Sequence, residues 1–248
     1  MTNNRKRMNI NAGTLYGIGT GPGDPELITI KSAKILSRVD VIFAAASTKN
    51  KHSIAVGIAK SHIPKKTPVK ILSFPMTMDK EEAIKSWKNN AHTIIGELEK
   101  GKDTAFLTVG DPMTYSTYSY ILQHIRSMAP HLSIVTIPGI TSYQAAAASL
   151  NMPLVEGEEA LLITSGVKGG DRLRKNSDKP ENIVFLKAYR NVKDIVLALK
   201  DADMLEKSAG VINCSLPGEK IVENIMELND RKPDYWSLII AKQKKDEI

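Results

Sequence analysis

The residues best suited to chemistry lie in three turns rich in glycine, aspartate, proline and hydroxyl side chains. The first is Gly17-Ile18-Gly19-Thr20-Gly21-Pro22-Gly23-Asp24-Pro25, where glycines without a Cβ let backbone approach a ligand and Asp24 adds a carboxylate. The glycine spacing is not that of a dinucleotide fingerprint, no acidic residue follows the second predicted strand, and two prolines remove amide donors. Nor does the turn end in Gly-Lys-Ser/Thr, and Asp24 would repel a phosphate. The second turn, Gly110-Asp111-Pro112, runs into Met113-Thr114-Tyr115-Ser116-Thr117-Tyr118, and the third is Pro138-Gly139-Ile140-Thr141-Ser142. Together they offer hydroxyls, helix-start amides and two carboxylates to a polar ligand. Each turn alone also reads as an ordinary loop or helix cap. Three at one sheet edge read better as a shared site.

Other side chains narrow the chemistry by exclusion. His52, His62, His92, His124 and His131 have no metal-ligand spacing, so no protein-bound metal is expected. Ser116 and Ser142 have no recognisable nucleophile arrangement around them, which argues against a hydrolase. Cys214 is the single cysteine and reads as a small buried residue at a strand end. Lys49, Lys51, Arg172, Arg174, Lys187 and Arg190 are candidate partners for carboxylates.

The turns need a scaffold, and the chain supplies one. Residues 14–19, 41–45, 69–72, 105–109 and 134–137 are β-rich runs, separated by helical patterns. Ile30, Ala33 and Leu36 recur at helical spacing after a cap at Thr29, and 81–99 is amphipathic and closed by Gly101. Alternation of this kind predicts a five-stranded, mostly parallel sheet with helices packed on it, because parallel neighbours need crossovers. The three turns then fall at the carboxyl ends of strands one, four and five, where open parallel sheets collect ligands. After Pro138-Gly139 the pattern changes to a small-residue helix at 142–150 and apolar runs at 161–164, 183–186, 210–214 and 236–241, which predict a second α/β domain. The domains are expected at 13–138 and 139–248, with a ligand cleft between them. The Gly-, Lys- and Arg-rich stretch 168–180 reads as an exposed, mobile loop.

Composition sets the compartment and limits the partners. The formal charge is +7, but Arg5, Lys6 and Arg7 carry three of those charges and the 242–247 tail a net one more, leaving +3 for the body. That excess suits a polyanionic small molecule as well as RNA. The polar, basic residues 1–12 lead into no apolar signal region, and the longest apolar run, 41–46, is too short for a bilayer. A soluble, cytoplasmic protein that engages no membrane is expected.

Taken together, the three turns in this order resemble the tetrapyrrole methylase family, and the likeness covers nearly the whole chain from Gly13. Residues 14–31, Phe74-Pro75-Met76-Thr77-Met78-Asp79 followed by Trp87, residues 110–118, and the Pro-Leu-x-Glu-Gly-Glu stretch at 153–158 are similar to the members that methylate carbon 20 of precorrin-2 or cobalt-factor II. The resemblance implies two α/β domains, the second with a mixed sheet, a homodimer, and S-adenosylmethionine as donor with S-adenosylhomocysteine as product. By it, Gly110, Asp111, Met113, Thr114, Ser116, Thr117, Thr141 and Ser142 bind the donor. Lys187, Ala188, Tyr189, Asn213 and Leu216 add contacts from the C-terminal domain. Pro22, Gly23 and Asp24 face the tetrapyrrole, Lys49, Lys51 and Arg174 hold its carboxylates, and Asp24 or Asp111 assists proton removal. Where relatives often carry an aromatic or proline-containing segment after strand two, this chain has Ala44-Ala45-Ala46-Ser47, which implies a reshaped substrate side. The competing readings are methylation of another tetrapyrrole carbon, a ribosomal RNA methyltransferase of the same fold, and a non-catalytic tetrapyrrole carrier. A nucleic-acid partner is the less expected of these.

Overall fold

The computed structural model describes residues 12–47, 52–75, 77, 79–176, 180–230 and 235–243. The chain divides into two compact units, Met1–Thr141 and Ser142–Ile248. Among the described residues no helix is long and apolar enough to cross a membrane.

The first unit contains strands β1 (Thr14–Gly19), β2 (Val41–Ser47), β3 (Val69–Phe74), β4 (Thr104–Thr108) and β5 (Ser133–Ile137), and helices α1 (Ile30–Leu36), α2 (Ile54–Ala59), α3 (Lys80–Leu98) and α4 (Tyr118–Met128). The sheet order is β3-β2-β4-β1-β5 and every pairing is parallel. Side chains alternate across it. Leu15, Phe43 and Phe106 join Ile94, Leu98, Ile121 and Ile125 of α3 and α4 on one face. Ile18, Ile42, Ala105 and Leu107 join Ile35, Leu36, Ala55 and Ile58 of α1 and α2 on the other. The period of two in these strands, buried on both faces, is what a helix-covered parallel sheet requires. A functional consequence follows from the order. Adjacent strands β4 and β1 lead into helices on opposite faces, so a crevice opens at their carboxyl ends.

Local chemistry fixes the long helix. Asp79 accepts from the backbone N–H groups of Glu81 and Glu82 at 2.8 and 3.3 Å, capping α3 at its first turn. Near the other end Glu97, whose side chain is 8% exposed, accepts from Lys70, Lys100 and Lys102 at 3.0, 3.2 and 2.7 Å. The Lys102 bond, then those of Lys70 and Lys100, hold this carboxyl down at about 2 against an ordinary 4.5. A lowered folded-state value stabilises the protein above about pH 4.5, and the stabilisation is lost as pH falls toward 2. The unfolding midpoint of Glu97→Gln, measured across that window, is expected to fall less steeply on acidification than that of the parent. Parallel curves would show that Glu97 does not carry this dependence.

The second unit contains β6 (Leu161–Ser165), β7 (Asn182–Leu186), β8 (Ser208–Ile212), β9 (Lys220–Val222) and β10 (Ser237–Lys242), in the order β6-β7-β10-β8-β9. Only β6 and β7 pair in parallel, so the sheet is mixed. Its helices are α5 (Ser142–Leu150), α6 (Asp171–Arg174) and α7 (Val192–Asp201). The stretch 168–180, expected as an exposed, mobile loop, is instead partly helical and packed over its described residues. A 3-10 turn at Gly166–Lys168 leads into α6, and Leu173 is buried among Ile183, Phe185 and Ile195. The glycines serve close packing rather than looseness. A Cβ at Gly170 would fall 2.1 Å from the Ala198 Cβ of α7, and the Gly170 N–H donates to Asp194 at 2.8 Å.

Candidate functional site

The three turns meet at the carboxyl ends of β4, β1 and β5. The Gly110 N–H donates to the Gly21 carbonyl at 2.7 Å and the Gly21 N–H to the Gly110 carbonyl at 3.4 Å, forming a two-residue bridge beyond the strands. The Thr20 N–H and hydroxyl both donate to the Thr108 carbonyl, at 2.9 and 3.1 Å. Glycine is required by proximity as well as by angle. A Cβ on Gly19 would stand 2.5 Å from the Gly110 oxygen, and one on Gly139 only 2.2 Å from that same atom. Gly21 and Gly110 also hold φ of +77° and +71°, a region costly for other residues.

Asp111 ties the second turn to the third. One carboxylate oxygen accepts from the Met113 N–H at 2.8 Å and the other from the Gly139 N–H at 3.0 Å. Both oxygens therefore hold backbone. Beneath it, the Thr108 and Ser116 hydroxyls share a hydrogen bond of 2.8 Å, and Ser116 Oγ accepts from the Tyr118 N–H at 3.1 Å, setting the start of α4. Tyr118 is fully buried against Gly17, where a Cβ would lie 2.1 Å from its ring, and its hydroxyl bonds Thr136 Oγ1 at 2.9 Å. Thr117 precedes that helix, and the Thr114 N–H closes a turn onto the Asp111 carbonyl. Met113 and Tyr115 project outward, 61% and 55% exposed, the latter with φ of +50°. Thr141 is buried at the end of the third turn.

Asp24 sits elsewhere on the first turn. Its carboxylate accepts from the Glu26 N–H at 2.8 Å and caps the 3-10 turn Pro25–Leu27. Pro22 and Gly23 are buried, so Asp24, half-buried, is the one of these three that reaches solvent.

In the second unit, the candidate residues cluster where β7 and β8 end and β10 begins. Lys187 and Asn213 follow directly on β7 and β8, with φ of +57° and +53°, and Ser215 has +58°. Left-handed backbone at residues with a Cβ costs roughly 1 kcal/mol each and concentrates at functional sites. The Ala188 N–H donates to the Ser237 carbonyl at 2.9 Å and the Asn213 N–H to that of Trp236 at 3.1 Å, so both segments flank the first residues of β10. The Leu216 N–H folds back to Asn213 at 2.8 Å. Burial lowers the Lys187 ammonium from its usual range. Burial likewise pushes the Cys214 thiol up to about 11, and its sulfur donates to the Ser142 carbonyl at the start of α5. Such a thiol is inert.

Not every expected residue joins a site. Arg174 is engaged by Asp194, donating to its two carboxylate oxygens at 3.2 and 2.6 Å and to its carbonyl at 3.1 Å, with Asp171 at 3.7 Å. That pairing lies within the second unit. Lys49 and Lys51 lie outside the described residues, as do Met76 and Met78. Thr20 and Thr108 are site residues that the sequence did not single out. A threonine in or beside a strand is unremarkable by propensity. Among the described residues no cluster of His, Cys, Asp and Glu could hold a metal ion.

Comparison with known proteins agrees with this architecture. The family model for tetrapyrrole (corrin/porphyrin) methylases matches residues 14–229. The cobalt-precorrin-2 C(20)-methyltransferase of Salmonella typhimurium is 34% identical, over 93% of this chain and 97% of its own. A protein of Methanocaldococcus jannaschii named as a probable cobalt-precorrin-2 C(20)-methyltransferase is 36% identical, over 93% and 96%. Among solved structures, the uroporphyrin-III C-methyltransferase of Thermus thermophilus complexed with S-adenosylhomocysteine shares the fold at a TM-score of 0.69, with 20% identity over 93% of this chain and 92% of its own.

Proposed function

The chain belongs to the tetrapyrrole (corrin/porphyrin) methylase family, and within it we propose that the protein transfers a methyl group from S-adenosylmethionine to carbon 20 of precorrin-2 or cobalt-factor II, in the making of cobalamin. The observation that carries this reading is the meeting of three glycine turns at the β4–β1 crevice, clamped by Asp111. The names of the two relatives support the choice of carbon 20.

The donor, when bound, supplies an electrophilic methyl on a positively charged sulfur whose departure needs little assistance. The residues present fit such a molecule, because the glycine turns leave backbone bare of Cβ atoms and hydroxyls stand beside them. Gly110, Asp111, Met113, Thr114, Ser116, Thr117, Thr141 and Ser142 bind it in this reading, with Lys187, Ala188, Tyr189, Asn213 and Leu216 contributing from the second unit. Their task is alignment and the exclusion of water, which can supply most of the acceleration of an in-line displacement. With both its oxygens on backbone amides, Asp111 is assigned to positioning. Asp24 is the group assigned to receive the proton that leaves the methylated carbon. Pro22 and Gly23 shape the turn that presents it, and Lys49 and Lys51 take substrate carboxylates. The working protein in this reading is a cytoplasmic homodimer.

An anaerobic assay with methyl-labelled S-adenosylmethionine and either precorrin-2 or cobalt-factor II tests the proposal. Label at carbon 20, located by NMR, is the expected result, and the faster macrocycle identifies the substrate. Transfer to neither, with S-adenosylhomocysteine still bound, would redirect the activity to another tetrapyrrole or to RNA.

A further inference from the structure

Where β10 begins in the second unit, three aromatic side chains and one guanidinium lie together. Tyr235 lies 5.2 Å from Tyr189 between ring centres, tilted by 58°, and meets Trp236 edge-on at 5.4 Å and 86°. Arg190, exposed, stands with its guanidinium carbon 5.2 Å from the centre of the Tyr189 ring. Tyr235 and Trp236 remain 39% and 38% exposed. Contiguous aromatic surface left in water marks a binding surface more often than a core. Its position is fixed by the backbone bonds from Asn213 to Trp236 and from Ala188 to Ser237. The rings therefore adjoin the segments 187–189 and 213–216, which carry the left-handed residues Lys187, Asn213 and Ser215.

We propose that Tyr189, Tyr235, Trp236 and Arg190 form a subsite for the carboxylate-bearing macrocycle. The rings cover apolar surface of the tetrapyrrole and Arg190 pairs with one of its peripheral carboxylates. The inference rests on the methyltransferase reading and deepens it by naming residues that recognise the substrate. Charge decides between the two flat ligands of that reaction. The adenine of the donor is neutral and the donor's one carboxylate lies at the far end of the molecule from that ring, whereas a polycarboxylate macrocycle offers a flat apolar body with several anionic arms around it. Tyr189 then serves twice, its backbone beside the donor and its ring toward the substrate.

Binding of cobalt-factor II by equilibrium dialysis and of S-adenosylhomocysteine by calorimetry, on the full chain, tests the subsite. Arg190→Gln removes an exposed charge without disturbing the core, and Trp236→Leu removes a ring while keeping bulk. Each is expected to weaken cobalt-factor II binding roughly tenfold and leave S-adenosylhomocysteine binding unchanged. With the macrocycle converted to its methyl esters, the parent and Arg190→Gln should bind alike. Unchanged macrocycle affinity in both variants overturns the subsite. A selective loss of S-adenosylhomocysteine binding overturns it in favour of an adenine platform, and a shift in self-association alone in favour of an interface between two copies. Should the parent bind neither ligand, the methyltransferase reading falls and the subsite with it.

Discussion

Gly139→Ala is expected to separate the three turns and abolish donor binding in an otherwise folded protein. The new Cβ would stand 2.2 Å from the Gly110 carbonyl oxygen and 2.9 Å from the Gly19 Cα, both of them backbone atoms. Neither can rotate away as a side-chain tip would. Ordinary contact requires the Gly110 carbonyl to retreat by on the order of 1 Å, which breaks the register of the Gly21–Gly110 bridge and pulls the Gly139 N–H from Asp111. Overpacking of this kind costs roughly 1–3 kcal/mol, and a misplacement of about 1 Å in a positioning element can cost on the order of a hundredfold in function. The expected result is a lower melting temperature and at least that loss in S-adenosylhomocysteine affinity by calorimetry. Gly57→Ala is the matched control. Gly57 lies in α2 with nothing within 4 Å of its added Cβ, so alanine there should be neutral or stabilising by up to about 1 kcal/mol. If the Gly139 variant binds as the parent does, the meeting of the turns is not what forms the donor site.

Asp111→Asn is expected to weaken donor binding strongly and spare the chemical step. The carboxylate accepts from two backbone N–H groups, Met113 and Gly139. Asparagine has one carbonyl oxygen, so in either orientation its NH2 faces one of these donors. A charge-assisted hydrogen bond is lost and a donor is set against a donor, a change of about 1.5–3 kcal/mol that corresponds to roughly ten- to a hundredfold in affinity. The KM for S-adenosylmethionine should rise by that factor. At saturating donor, kcat should stay within a few fold and its pH profile should keep its shape. Loss of a general base would instead lower kcat by about two to four orders of magnitude. That outcome would make Asp111 the proton acceptor and remove the role from Asp24.

The carboxyl edge shows how far local pattern reaches. The first strand was legible to the residue, as 14–19, because alternation is written in consecutive residues, whereas the glycine turn read as 17–25 begins inside that strand and ends inside the 3-10 turn Pro25–Leu27. The α3 helix was legible within one residue at either end, read as 81–99 and found at Lys80–Leu98, since its apolar spacing and closing Gly101 are local signals. Its capping aspartate, Asp79, precedes the predicted start. The stretch 168–180 misled for an instructive reason. Glycine and basic residues mark both loops and tight packing, and Ala198 and Asp194 of α7, against which Gly170 lies, distinguish the two.

By itself, the sequence determined the alternation of strands and helices, the identity of the three turns and the family to which they point. These depend on periodicities of two and 3.6 residues and on glycine's freedom in φ, all expressed within a few neighbours. Tertiary structure decided what each polar group does. Thr20 meets Thr108 across 88 residues, Gly139 meets Asp111 across 28, and Arg174 meets Asp194 across 20. Those partnerships follow from strand order, with β1 lying between β4 and β5, and from helices packing on chosen faces. The fold brings two backbone amides to the Asp111 carboxylate and gives Arg174 an aspartate, partners that neither residue's sequence neighbours announce. The short-range code fixes where such groups stand along the chain. The long-range packing of apolar faces fixes which of them meet, and therefore which remain available for chemistry.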